Sequence, residues 1–486
     1  MKRTLLLPLL AVAVAACHDV APTAPAAPEA PAQVLTTANG VRIDPRLSSA
    51  LAVAAPTQKL VVIVNYDPAR TTTASIARQA GQLGAGIMTF RNLSMMVALA
   101  TPQQIQGIIG LGGVESVYAN RIEPLLLREA VVGMRADQVW AGGHTGKGVG
   151  IAIIDSGING LNTDVGYPTK TVKNLKFTLN FSYATEDTTT LPRPGGELFV
   201  DNLPNTDNTG GHGTHVAGIA GGNGGTSFGA YRGVAPGANL IGLSAGEGLH
   251  VLYASVLQAV DWMIDNRVRY NIKVVNNSYG GMGTFDPTDP VEEAFRTVHE
   301  NGITVVFAAG NDGPGENTMN VHSVGPWAIS VAAGCKLFVL DPTNSASQCQ
   351  DAGGRAPVLA GFSSRGIPGD PMQKPDITAP GVRIVSARSY TGVVAPLGLT
   401  SDLNACNIGF QNLDDFTCMS GTSMAAPAVA GVVALMQEAA GGKLTPTQVE
   451  QLLKSTARPQ PGYAEWEQGA GYVDAYAAVQ AAKAYR

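Results

Sequence analysis

In GVGIAIIDSG, residues 148–157, the apolar run from Ile151 to Ile154 stops at Asp155, and Ser156 and Gly157 follow as turn formers. A short uninterrupted apolar run bounded by turn residues is the pattern of a strand buried on both faces, as in a parallel sheet. A carboxylate at the C-terminal end of such a strand stands where open α/β sheets place their ligand sites. Taken alone, the same aspartate also fits a turn residue capping local amides. Similar runs recur downstream at Asn239–Leu243, Lys273–Asn276, Thr304–Ala308 and Ala328–Val331, alternating with helical stretches at Ala254–Asn266, Val291–Glu300 and from Ser423 onward. A further helix is signalled by Thr445 as N-cap, Pro446 at its first position and Gln448 completing a capping box before Val449–Ala457. The alternation predicts an α/β domain, a parallel sheet with helices on both faces, over residues 127–486. The polar, irregular stretches Leu161–Asn208 and Thr391–Phe416 are expected to be surface loops on it.

Upstream the chain reads differently. Lys2 and Arg3 precede an apolar run from Leu5 to Ala16, too short for the roughly 20 residues that span a bilayer. Residues 1–16 therefore read as a secretory signal. The run ends in Val14, Ala15, Ala16 and Cys17, which resembles the lipobox of bacterial lipoproteins; that resemblance implies cleavage before Cys17, acylation of its new N-terminus and a membrane anchor, against an ordinary signal with an incidental cysteine. Pro22, Pro25, Pro28 and Pro31 among alanines predict an extended linker over 17–56. Over 57–126 strands at Leu60–Val64, Ile87–Phe90, Ser94–Leu99 and Val114–Tyr118 and helices at Thr71–Leu83 and from Thr101 give the order βαββαβ, a small α+β domain on the ferredoxin-like plan.

Composition narrows the classes. The 486 residues are 45% hydrophobic and 14% charged with a net charge of −5, which excludes a charge-driven disordered chain and carries no basic footprint for nucleic acid. Removing Cys17 leaves Cys335, Cys349, Cys406 and Cys418, whose spacing matches no zinc pattern. In an exported protein, pairing Cys335 with Cys349 and Cys406 with Cys418 closes two short loops, each contributing at most about 3 kcal/mol, with connectivity open among three arrangements.

Two further stretches carry reactive groups. GGHGTHVAG, residues 210–218, holds His212 and His215 three apart at a helix entry, without the glutamate and four-residue spacing of a helical zinc motif. His212 reads as a base and His215 as a packed structural histidine; His18, His144, His250, His299 and His322 have no comparable context. In SGTSMAAPAVAGVVALM, residues 420–436, Ser423 opens an apolar helix whose dipole favours an anion there, and Pro427 is expected in or near the first turn. Together the three stretches supply a weak nucleophile, a base and a carboxylate to orient the imidazole.

With IIDSG, HGTHVAG and GTSMAAP in the order Asp155, His212, Ser423, the chain resembles the subtilisin-like serine peptidases, the subtilases, over about residues 130–480. That resemblance implies a serine endopeptidase acting through an acyl-enzyme on protein or peptide substrates. AAGND, residues 308–312, looks like the segment whose asparagine, here Asn311, binds the oxyanion. NNSYGG, residues 276–281, resembles the strand that lines the specificity pocket, so Ser278, Tyr279 and Gly280 would pair with substrate, and Gly246 to Gly248 would flank the opposite side. The α+β region becomes, by the same resemblance, a prodomain that chaperones folding and inhibits the site until self-cleavage between about Pro124 and Ala130, its tail Arg121–Leu127 lying in the cleft. No cofactor is required for the chemistry; structural calcium is a family habit for which Asp201, Asp207 and Asp414 are candidates, without a ligand spacing that specifies it. A surface-tethered inactive binding module is the rival reading. An esterase of another fold is disfavoured because GTSMA, residues 421–425, ends in alanine where a nucleophile elbow needs glycine.

Overall fold

The computed structural model describes residues 35–89, 94–119, 129–177, 199–247, 250–336, 359–372, 374–391, 406, 408 and 410–486. The chain divides into two compact units, residues 1–123 and 124–486.

The smaller unit begins before the expected boundary. β1 (Leu35–Thr36), β2 (Arg42–Ile43) and α1 (Pro45–Val53) occupy sequence assigned above to a linker ending at residue 56. β2 pairs in parallel with β6 (Val114–Ala119), Val41 and Leu47 are buried, and the Asp44 carboxylate accepts a hydrogen bond from the Ala119 amide at 3.1 Å. These apolar residues are spaced too irregularly to show a period, so only their partners reveal them as core. β3 (Leu60–Tyr66), α2 (Thr73–Gln82), β4 (Gly86–Thr89), β5 (Met95–Ala100), α3 (Pro102–Ile109) and β6 follow the order βαββαβ. Their strands lie as β6-β3-β5-β4, each adjacent pair antiparallel. Thr101 and Gln104 form a capping box at the start of α3, with Pro102 at its first position, where a missing N–H costs nothing.

In the larger unit α4 (Glu129–Gly133) and α5 (Ala136–Ala141) precede β7 (Gly150–Asp155), the strand read first from sequence. The elements that follow are β8 (Thr171–Phe177), β9 (Phe199–Val200), α6 (His212–Gly221), β10 (Asn239–Ser244), β11 (Gly246–Glu247), β12 (His250–Val251), α7 (Tyr253–Asn266), β13 (Ile272–Asn277), α8 (Pro290–Glu300), β14 (Thr304–Ala308), β15 (Ala328–Gly334), β16 (Ile377–Pro380), β17 (Ile384–Ala387), β18 (Phe416–Met419), α9 (Thr422–Ala439) and α10 (Pro446–Thr456). The main sheet runs β16-β15-β14-β13-β7-β10-β8-β9, parallel throughout except for the antiparallel edge strand β9. β7 is central, and alternation along it divides the core. Ile151 and Ile153 pack with α6 and α9 on one face, Ala152 and Ile154 with α7 and α8 on the other.

Both stretches expected to be surface loops are corrected in part. Within 161–208, Thr171–Phe177 is β8, a strand of the main sheet, with Asn174 buried and donating to the Ile158 and Leu203 carbonyls. The two lysines of β8 disguise it: Lys173 and Lys176 are half-buried, while Leu175 and Phe177 enter the core. Near the end of 391–416, Cys406, Ile408, Leu413 and Phe416 form a small buried cluster with Tyr231. Cys406 is disulfide-bonded to Cys418, with Cα atoms 6.3 Å apart. Cys335 is buried beyond β15, and Cys349 lies outside the described residues, as do Cys17 and residues 1–16. Among the described residues no helix is long and apolar enough to cross a membrane.

α9 is apolar on nearly every side and buried along its length, as befits a helix through the middle of a core. Pro427 is its sixth residue, in the second turn. A proline there withholds the N–H that would bond the carbonyl four residues back, at Ser423. The structure supplies a substitute: the Ser278 hydroxyl donates to the Ser423 carbonyl at 3.0 Å. Gly431 sets how closely α9 can approach its neighbours, since a Cβ there would sit 2.6 Å from Val234 Cβ and 2.8 Å from the Ala220 carbonyl oxygen. Gly431→Val therefore overpacks this contact and is expected to cost about 1–3 kcal/mol, read as a lower urea midpoint for unfolding; an unchanged midpoint would contradict this packing.

Candidate active site

Asp155 ends β7 at 2% exposure, and a buried carboxylate stays ionised only with donors around it. Oδ1 accepts from the Ser156 amide at 2.7 Å and pairs with His212 Nδ1 at 2.8 Å. His212 is the first residue of α6. Its placement follows from Gly213, where a Cβ would lie 2.3 Å from the Gly157 carbonyl oxygen and 3.0 Å from Asp155 Cβ, so only glycine lets the helix start this close to β7.

A second buried carboxylate holds that junction. Asp207 accepts from the Ser156 hydroxyl (3.0 Å), the Gly211 amide (2.7 Å), the Thr214 amide (3.1 Å) and the Thr214 hydroxyl (2.5 Å), while Ser156 Oγ accepts from the Gly213 amide (2.9 Å). Burial pushes the Asp207 carboxyl up and the bonds from Thr214 and Gly211 pull it back. For His212, burial pulls the imidazole down, but the Asp155 charge and hydrogen bond outweigh it and leave the group above its ordinary 6.5.

Ser423 is the second residue of α9, so its backbone N–H belongs to the first turn, where donors have no intrahelical partner. Its hydroxyl donates to the Ser278 carbonyl at 3.2 Å, which together with the Ser278 hydroxyl bond makes a reciprocal Ser278–Ser423 pair. Asn311 follows β14. Its Oδ1 accepts from the Thr422 amide (2.9 Å) and hydroxyl (3.0 Å). A backbone amide can only donate, so the carboxamide oxygen must face Thr422, which turns the Nδ2 hydrogens away from that contact.

His212, Asp155 and Ser278–Gly280 line a cavity of about 380 Å³, together with Val251, Tyr253 and His322. Gly246 is buried in the β11–β12 hairpin on its flank, with Ser156 and His250 against it; Gly248 lies outside the described residues. His215 is fully buried, Nε2 meeting the Ile384 and Thr417 carbonyls at 3.0 and 3.2 Å, a packed histidine that ties α6 to β17 and β18. The carboxylates considered for calcium are engaged to different degrees. Asp207 has its lone pairs taken by four protein donors, Asp201 is ion-paired with Lys173, and Asp414 is exposed. Among the described residues no three potential metal ligands come together.

Residues 146–473 match the model of the subtilase family, Peptidase_S8. Serine protease AprX of Bacillus subtilis (strain 168) is 33% identical over 381 residues, covering 75% of this chain and 74% of that protein. The chain is a subtilase. It is accordingly a serine-type endopeptidase of that family. The extracellular protease of Xanthomonas campestris pv. campestris is 36% identical over 211 residues, 43% of this chain and 29% of that protein. The solved S41 psychrophilic protease matches with a TM-score of 0.50 at 26% identity, over 68% of this chain and 92% of its own.

Three parts of this subtilase's site escaped the sequence. Thr422 reads there only as a motif residue, yet it orients Asn311. Asp207 reads as a loop carboxylate, yet it anchors the β7–α6 junction. Glu292, His322 and Tyr253 lie far apart in the chain and no motif joins them, although His322 Nδ1 and Glu292 Oε1 are 2.7 Å apart beside the cavity. Burial lowers His215 from 6.5 to about 3. The folded chain thus refuses a proton that the unfolded chain accepts, so the stability present above pH 6.5 is lost as pH falls toward 3. Urea unfolding at pH 7 and pH 5 should show about 2 kcal/mol of pH-dependent loss from this group, absent in His215→Gln; equal slopes in the two proteins would contradict it.

Proposed function

We propose that this subtilase is an exported, self-maturing endopeptidase whose triad is Asp155, His212 and Ser423. The observation that carries the reading is the 2.8 Å bond between His212 Nδ1 and Asp155 at the end of β7, on the cavity bounded by Ser278. A carboxylate only accepts, so Nδ1 holds the imidazole proton and Nε2 is free to act as base. A substrate strand adding along Ser278–Gly280 takes up the Ser278 carbonyl with its own N–H. That competition releases the Ser423 hydroxyl, which turns about its Cα–Cβ bond toward His212.

The hydroxyl then adds to the scissile carbonyl as its proton passes to Nε2. Asn311 Nδ2 and the Ser423 N–H hold the oxyanion, and the imidazolium protonates the departing amine as the C–N bond breaks. Water cleaves the resulting ester by the same route, with His212 again the base. Residues 57–126, extended upstream by β1, β2 and α1, serve as the intramolecular chaperone and inhibitor, removed by cleavage between about Pro124 and Ala130. Residues 120–128, including the tail that would enter the cleft, lie outside the described residues. Cleavage before Cys17 and its acylation would hold the enzyme at the cell envelope.

Expression of residues 18–486 tests the catalytic reading. Casein hydrolysis and a processed chain are expected for the wild type and neither for Ser423→Ala; processing that persists in the variant would overturn self-maturation. Asn311→Ala should lower kcat on the order of 10²–10³-fold. Because His212 must be neutral to accept a proton and its folded value is raised, kcat/KM should fall as pH drops through a midpoint above 6.5. Asp155→Asn should shift that midpoint downward and cut kcat by on the order of 10⁴.

A further inference from the structure

One side of the active-site cavity carries a polar chain that the bond-breaking chemistry does not use. Glu292 Oε1 meets His322 Nδ1 at 2.7 Å, and His322 Nε2 meets the Tyr253 hydroxyl at 3.2 Å. Glu292 and His322 are buried, at 2% and 4% exposure, whereas Tyr253 is 51% exposed and lines the cavity.

The direction of these bonds follows from what each group can do. A carboxylate only accepts, so His322 carries a proton on Nδ1; in that tautomer its Nε2 accepts, and the Tyr253 O–H donates to it. The Tyr253 oxygen is then left with lone pairs alone. It cannot give up its proton instead, because burial, with Asp289 and Glu292 nearby, holds the phenol above its ordinary value. Burial also raises Glu292, against the pull of its bond to His322. Around this acceptor the walls are apolar, formed by Val251, Val256, Val291 and the Tyr279 ring. Among the described residues the carboxyl groups at or behind the lining are Asp155, Glu292 and Asp289, His212 and His250 also line it, and no lysine or arginine does.

An apolar sleeve that ends in an acceptor under negative potential complements an aliphatic stem bearing a cationic head. We propose that the Glu292–His322–Tyr253 relay is a specificity determinant that selects peptides with a lysine or arginine side chain on the acyl side of the scissile bond. Tyr253 receives the ammonium or guanidinium, and His322 and Glu292 act through it as positioning residues. The inference rests on the reading of Ser278–Gly280 as the edge that substrate joins, since that edge shares the cavity.

The test compares peptide series in which lysine or norleucine, which has the aliphatic stem without the ammonium, occupies each position in turn on the acyl side. All assays run at pH 8. At one position the wild type is expected to favour lysine about tenfold in kcat/KM. Tyr253→Phe should bring that ratio close to one. The ratio is the readout because a loss of fold or of active fraction alone leaves it unmoved. Cleavage of norleucine peptides with no lysine advantage at any position, or an advantage retained in Tyr253→Phe, would overturn the relay and leave the peptidase reading standing. Absence of any hydrolysis that depends on Ser423 would overturn the catalytic reading, and this one with it.

Discussion

The charge on Asp155 is the constraint around which the site is built. A carboxylate at 2% exposure costs several kcal/mol of desolvation unless donors replace water. Two are supplied: the amide of the next residue, and His212 from an element 57 positions away in sequence. The imidazole can reach only if α6 begins against the end of β7, and the four bonds to Asp207 keep it there. The orientation of His212, the proposed base, is thus a by-product of neutralising one buried charge and satisfying another.

Ser423, the proposed nucleophile, is placed by a different route. Pro427 removes a hydrogen bond from α9, and the carbonyl it frees belongs to Ser423. Ser278 restores the bond from the end of β13 and receives the Ser423 hydroxyl in return. An apparent fault in a helix thereby couples Ser423 to the segment along which substrate is proposed to pair. Thr422, one residue earlier, orients Asn311 with its amide and hydroxyl, so the first turn of α9 positions both Asn311 and Ser423.

Much of this was legible because it is local. β7 declares itself by an apolar run between turn residues, and α10 by a capping box that is complete within four residues. β8 was not legible. Its lysines break the apolar pattern, and what makes Asn174 an interior residue is a pair of carbonyls, Ile158 and Leu203, that local sequence does not bring near. β1, β2 and α1 failed for a similar reason: a two-residue strand has no period to detect, and its evidence is its partner in β6.

The sequence by itself singled out the side chains proposed to carry the chemistry, since an aspartate ending a buried strand, a histidine at a helix entry and a serine opening an apolar helix are patterns of neighbouring residues. It also determined the alternation of strands and helices that makes a parallel sheet the economical core. Only the tertiary structure decided how those groups are oriented: which nitrogen of His212 is left free, which end of the Asn311 amide is exposed, and that Glu292, His322 and Tyr253 form one chain of hydrogen bonds. Hydrogen bonding is directional and acts over about 3 Å. Residues separated by tens of positions acquire that proximity only when the core has packed.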